Sequence, residues 1–402
     1  MSLRSLVCYL CLILSAAGCG ASDNPSDTGA GAPPSVAPDL DAIAANIVRA
    51  ARVGEGDAVL LTGSVRDLEL LENMVIEVEK LGGSPLLVIS SERMTRRSFD
   101  EVPAIYDTMP PRWSTVTARS ADVIISVDPS ETPDLLAHVP PARVQARSRA
   151  AAPFQVEMFQ RGIRLVDIGN SLYPTHARAA RFGLSRDELA RYFWNGLAAD
   201  PAMLLQRGQQ LKPIFAGARE VRITHPNGTD LTFALDTRDI FINDGAISDE
   251  DLAAGGINLA KYVPAGEIYA RVQPGSARGR IVVDYYFQGR DIEGLTIEVE
   301  NGEIMSITAP SGVDPLLAAY GSDRDGRERL TVFDIGLNPG ITASPDSRVR
   351  AYMPAGMVTL FFGNDIWAAG TNSASFGLFP HLTGTTVTID GSVIVDNGEL
   401  RL

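Results

Sequence analysis

Apolar and polar positions follow two rhythms along this chain, and the change comes near Glu220. From Leu40 to Val53 apolar residues recur at helical spacing and stop at Gly54, which predicts an amphipathic helix. Asp57 to Gly63 is a short apolar run of the kind a buried strand shows. Asp67 to Leu81 returns to helical spacing and is closed by Gly82-Gly83. Pro85 to Ile89, Asp122 to Val127 and Ile163 to Ile168 are further strand-like runs with helical stretches between them. Strands alternating with helices imply a parallel α/β sheet. Ser185 to Glu188 forms a capping box that opens a helix carrying Tyr192, Phe193 and Trp194, which read as packing aromatics. Pro201 to Ala218 reads as a connecting helix broken at Pro213.

Beyond Glu220 the runs shorten to strand length. Val221–Thr224 and Leu231–Leu235 flank His225-Pro226-Asn227-Gly228-Thr229-Asp230, a hairpin-like turn in which His225 is a turn residue. Strands are also predicted over Arg280–Tyr286, Leu295–Val299, Glu303–Thr308 and Thr386–Val395, with turns at Asn301-Gly302 and Asp390-Gly391. At 402 residues the chain has length for two domains with a core each. The expected architecture is an α/β domain with a parallel sheet over residues 39–217, then a β-rich, barrel-like α+β domain over 218–402.

A net charge of −14 without a basic patch argues against nucleic acid as a partner. All three cysteines, Cys8, Cys11 and Cys19, lie in the first nineteen residues, so the body of the chain has no internal disulfide and no thiolate metal ligand. Arg4 precedes an apolar stretch from Leu6 to Ala17, too short to span a bilayer, which takes roughly twenty residues. This is the layout of a signal peptide over residues 1–19. Ser15-Ala16-Ala17-Gly18-Cys19 resembles a bacterial lipobox and implies lipidation of Cys19; a plain signal peptide with a chance cysteine is the alternative. The expectation is an exported bacterial lipoprotein of the cell envelope, held to a membrane by its lipid. Gly20 after the cysteine points by the same resemblance to an outer membrane. Residues 20–38, rich in Gly, Ala, Ser, Pro and Asp, read as a flexible tether.

Common catalytic signatures are missing. Gly63-Ser64-Val65-Arg66-Asp67, after the first strand, has neither the GxGxxG nor the GxxxxGK[ST] pattern, and the chain has no HExxH and no GxSxG. His138 and His176 have no second histidine or carboxylate at ligand spacing and read as surface or locally bonded residues.

Four segments carry a resemblance. They are Val263-Pro264-Ala265-Gly266-Glu267, Val332 to Pro339 (VFDIGLNP), Gly356 to Asp365 (GMVTLFFGND) and Asn372 to Phe379 (NSASFGLF). In this order and spacing they resemble the metal-site segments of the thermophilic-type metallo-aminopeptidases, the aminopeptidase T family; the first half resembles that family's N-terminal domain in pattern. The resemblance implies two divalent metals (Zn²⁺, Co²⁺ or Mn²⁺) that polarise the scissile carbonyl and activate a bridging water. It also implies dimerisation through the second domain.

Carried over residue by residue, the implied ligand set is mostly replaced. The Glu of the Pro-x-Gly-Glu turn is kept as Glu267, whereas the second Glu falls on Val332, with Asp334 two residues on. The His of Gly-x-Val-His falls on Thr359, and the final His-x-Asp falls on Gly377 and Phe379. Glu267 and Asp334 are the remaining metal candidates; Asp365 and His381 are candidate substitutes, with Asn364 beside Asp365 as a further oxygen donor. If Glu267 and Asp334 face each other without metal, one carboxyl is expected to have a raised pKa. Three functions stay open, in this order: a lipid-anchored, non-catalytic pseudoenzyme that binds a peptide or small molecule, an active metallopeptidase with an altered ligand set, and another metal-dependent enzyme such as an iron dioxygenase. The first calls for no cofactor.

Overall fold

The computed structural model describes residues 38–132, 135–136, 138–140, 142–147, 149–151, 161–287, 290–322, 326–342, 349–374 and 376–402. The signal peptide, Cys19 and most of the tether lie outside the described residues. Among the described residues no helix is long and apolar enough to cross a membrane.

The first half is an α/β domain. Four strands, Ala58–Ser64, Ser84–Ser90, Val123–Val127 and Arg164–Ile168, lie where apolar runs predict them. They pair in parallel, as chain segments joined by crossover helices must. The helices Leu40–Ala50 and Leu68–Lys80 bury Ile43, Ile47, Leu71, Met74 and Val78 against this sheet. The helix Arg186–Leu197 opens on the capping box: Ser185 Oγ accepts from the Glu188 N–H, and the Glu188 carboxylate accepts from the Ser185 N–H. Phe193 is buried in the same core, as packing aromatics require.

Two features differ from the sequence pattern. A fifth strand, Ala260–Val263, joins the parallel sheet beside Arg164–Ile168. It comes from the second half, as do the core residues Ile341, Val349, Ala351 and Met353. The helix Pro201–Gly217 runs unbroken through Pro213. Proline removes one backbone hydrogen bond, but Leu211 and Phe215 are buried on either side of it and keep both halves seated on the sheet.

The second half is β-rich. An eight-stranded sheet and a six-stranded sheet, both antiparallel in every pairing, share one core with that helix. The tight turns fall at Asn301-Gly302 and Asp390-Gly391, each with two positive φ angles, as in a two-residue hairpin. The few helices expected are Asp249–Ala254 and Asp314–Ser322.

The six-stranded sheet matters most. Its centre is Leu330–Gly336, flanked by Glu267–Val272 and Val358–Gly363. Alternation along a strand sends successive side chains to opposite faces. Ile268, Ala270, Phe333, Ile335, Val358, Leu360 and Phe362 face the shared core. Glu267, Tyr269, Val332, Asp334, Thr359 and Phe361 therefore share the other face.

Candidate functional site

The site begins where two neighbouring parallel strands end. Because Arg164–Ile168 and Ala260–Val263 lie side by side, the loops that follow them also meet, and Gly169 N–H donates to Val263 O at 2.7 Å. Asn170 sits in the first loop, with Pro264-Ala265-Gly266-Glu267 in the second. Asn170 Nδ2 donates to Pro264 O at 2.8 Å and to Glu267 Oε1 at 3.3 Å.

This turn tolerates little change. Gly266 has φ +119°, and a Cβ there would lie 2.8 Å from Asn338 Cβ. Asn338 is fully buried, and its side chain ties three backbone groups. Nδ2 donates to Gly196 O at 2.9 Å and Ala265 O at 2.6 Å, and Oδ1 accepts from Gly340 N–H at 2.9 Å. The residues that survive from the aminopeptidase-like pattern thus hold the backbone itself.

Register then gathers the face. Asp334 lies opposite Tyr269 on one side and Thr359 on the other, while Gly336 lies opposite Glu267. Thr359 lies opposite His381, and its hydroxyl is 2.9 Å from His381 Nδ1. Glu267, Asp334, Thr359 and His381 are thereby brought to one region. Asp365 is turned into its own loop, where it accepts from Asn372 N–H at 2.6 Å, and Asn364 Oδ1 caps Ile366 N–H at 3.1 Å.

Apolar side chains fill the rest. Val332, Phe361 and Ala368 are buried together, with Tyr269, Tyr352, Trp367 and Phe379 packed on them. The Phe361 ring centroid lies 5.3 Å from Phe379, 4.8 Å from Trp367 and 5.5 Å from Tyr352. Gly377 and Phe379 are linked: a Cβ at Gly377 would fall 2.3 Å from Phe379 Cζ. The benzyl group occupies the space that any side chain at residue 377 would need. Gly377→His is therefore expected to cost on the order of 2–3 kcal/mol, through overpacking. Adding Phe379→Ala should recover part of that loss, and strictly additive costs in a double-mutant cycle would refute the coupling.

Electrostatics follow from burial. Burial raises the Glu267 carboxyl, against the lowering effect of hydrogen bonds from Asn170 and Asn243. Asp334, 1% exposed, is raised well above the carboxylate range, first by burial and then by the charge of Glu267. Its Oδ1 has no hydrogen-bond partner. Burial, with Arg350 and Arg181 adding to it, lowers His381 to about 3, so its imidazole is neutral at physiological pH.

This donor set does not suit a pair of divalent metals. Two carboxyls and one imidazole, whose Nδ1 is already engaged by Thr359, share the face with aromatic rings. Among the described residues no three His, Cys, Asp or Glu side chains converge as a metal site requires. The other histidines lie elsewhere: His138 beside Asp100 at 2.7 Å, His176 exposed at a helix start, and His225 accepting from Asn227 N–H within its turn.

Asn170, Asn243, Tyr269, Tyr352 and Trp367 lie outside the four segments, and Phe361, inside the third, has no role marked for it there. Period-two alternation from Glu267 to Tyr269 and from Thr359 to Phe361 would have placed two of them on this face. The others arrive from separate loops or strands and leave no local signal.

No family model and no curated protein matches the chain in sequence. Solved structures do. Wild-type AmpT (aminopeptidase T) from Thermus thermophilus is similar with a TM-score of 0.64 at 15% identity, over 90% of this chain and 99% of that one. The 2,5-dihydroxypyridine dioxygenase from Pseudomonas putida KT2440 is similar with a TM-score of 0.57 at 14% identity, over 90% of this chain and 96% of that one. Structures with a peptidase name and a dioxygenase name share this architecture, so the fold alone does not decide the chemistry. At these identities the likeness establishes an aminopeptidase T-like two-domain fold.

Proposed function

We propose that this chain is a lipid-anchored, non-catalytic protein with an aminopeptidase-like fold, which uses the remodelled face around Glu267 and Asp334 to bind a peptide or small molecule. The observation that supports it most is what stands at the implied ligand positions: buried Val332, Thr359 bonded to His381, and Gly377 under the Phe379 ring. A two-metal hydrolase needs several ligands around each ion, both to offset the charge and to lower the pKa of the bridging water. A dioxygenase using two histidines and a carboxylate is not supported either, because only one of the four histidines reaches this face.

The test assays leucine and arginine amides with added Zn²⁺, Co²⁺ or Mn²⁺, alongside elemental analysis of the purified protein. No turnover and less than one metal per chain are expected. Turnover that disappears in Glu267→Ala would overturn the proposal. For the anchor, metabolic palmitate labelling of the protein is expected and should be lost in Cys19→Ala.

A further inference from the structure

The face around Asp334 combines two features that seldom occur together. One is an unmet buried acceptor. Asp334 is 1% exposed and its Oδ1 lacks any hydrogen-bond partner. A buried polar atom left without a partner is costly, and a native fold tends to keep one where something else supplies the partner. The other is a wall of rings. Tyr269 stacks at 18° on Phe241 and lies 5.3 Å from Trp367, which touches Phe361, which in turn contacts Tyr352 and Phe379. Phe361 is buried, but Tyr269, Tyr352, Trp367 and Phe379 are each only half-buried, so the wall reaches solvent.

Aromatic rings do not ligate a hard divalent ion, but their faces attract organic cations. A buried carboxyl beside an aromatic wall suits a positive charge whose surroundings are partly hydrocarbon, because an adjacent cation favours release of its proton to solvent and leaves a carboxylate to oppose the charge. We propose that this face binds an organic ammonium group, with Asp334 and Glu267 opposing its charge and Tyr269, Tyr352 and Trp367 contacting its methyl or methylene surface. The proposal rests on the binding function proposed for this face and names its ligand class. Supporting it, strand register sets Tyr269 directly opposite Asp334 and two residues from Glu267 on the same face, and Tyr352 packs in the same ring cluster. Arg271, on the same strand as Tyr269, is committed elsewhere. It donates to the carbonyls of Ala368 and Ala369 and to Asp236 and Asp239, which holds the turn carrying Trp367.

The experiment titrates the full chain with methylammonium, tetramethylammonium and choline, and with the uncharged isostere of choline in which carbon replaces the quaternary nitrogen. Binding is read by tryptophan fluorescence and calorimetry, with Trp367→Phe separating the site's signal from those of Trp113 and Trp194. Choline is expected to bind at least about tenfold more tightly than its neutral isostere. Asp334→Asn, an uncharged isostere of the buried acid that should therefore fold, is expected to abolish that preference. Equal affinity for charged and neutral isosteres, or no saturable binding of any ammonium probe, overturns the inference. If N-acetylated dipeptides bind while ammonium probes do not, the inference fails and the binding function stands. Metal-dependent turnover of leucine amide instead sinks the binding function itself.

Discussion

Asp334→Asn is expected to stabilise the protein at neutral pH by on the order of 1 kcal/mol or more, and to leave it nearly unchanged near pH 4. The sign follows from proton linkage. In the folded state both Glu267 and Asp334 hold their protons to higher pH than free carboxyls do. Below about pH 4 the folded and unfolded chains are both protonated there, and neither group contributes a pH dependence. Above it the unfolded chain releases protons that the folded chain retains. Stability therefore falls as pH rises, by up to about 1.4 kcal/mol per unit for each group, until the folded group also ionises. For Glu267 that end lies at about 7, and Asp334 is displaced in the same direction by its burial and by the charge of Glu267. Asparagine is an uncharged isostere and removes the Asp334 share of this slope. Urea unfolding of the parent and the variant at several values between about pH 4 and pH 8 decides the matter. Parallel curves would mean that Asp334 is not a proton-retaining buried acid.

The same pair shows where sequence reading succeeds and where it stops. Asp334 and Glu267 were visible as the two acids left in an aminopeptidase-like pattern, and their proximity could be anticipated from that pattern alone. That Asp334 would keep an unpartnered oxygen could not. It depends on Tyr269 and Thr359 standing opposite it, on Asn170 turning to Glu267 instead, and on rings closing the far side. The parallel strands and the Ser185 capping box were readable because both are local: a run of apolar residues, or two polar residues three apart. Ala260–Val263 as the edge of the parallel sheet was not, because a four-residue strand gains its identity from its neighbour Arg164–Ile168. The break expected at Pro213 failed for a related reason. Local propensity counts the lost hydrogen bond, while the burial of Leu211 and Phe215, which outweighs it, comes from a sheet far away in sequence.

Asn338→Ala is expected to destabilise the protein by on the order of 3–5 kcal/mol, among the larger losses for a single side chain. Two buried hydrogen bonds and one part-buried hydrogen bond end at once. The carbonyls of Gly196 and Ala265 lose their donor, and Gly340 N–H loses its acceptor. Asn338 is fully buried, so water does not readily replace the lost partners. Asn338→Asp should not rescue. Its second oxygen would face two carbonyl oxygens where Nδ2 now donates, and it would bury a further charge near Glu267 and Asp334. The prediction separates two explanations for why Asn338 and Gly266 survive among replaced ligands. If these residues persist because a metal reaction needs them, losing Asn338 should leave stability within about 1 kcal/mol of the parent in urea unfolding. If they persist because the Gly266 turn, the Gly196 end of its helix and the strand after Gly336 are locked together through one amide, the loss is large and needs no metal. The second outcome ties both residues to the backbone geometry of the fold, whatever chemistry the face performs.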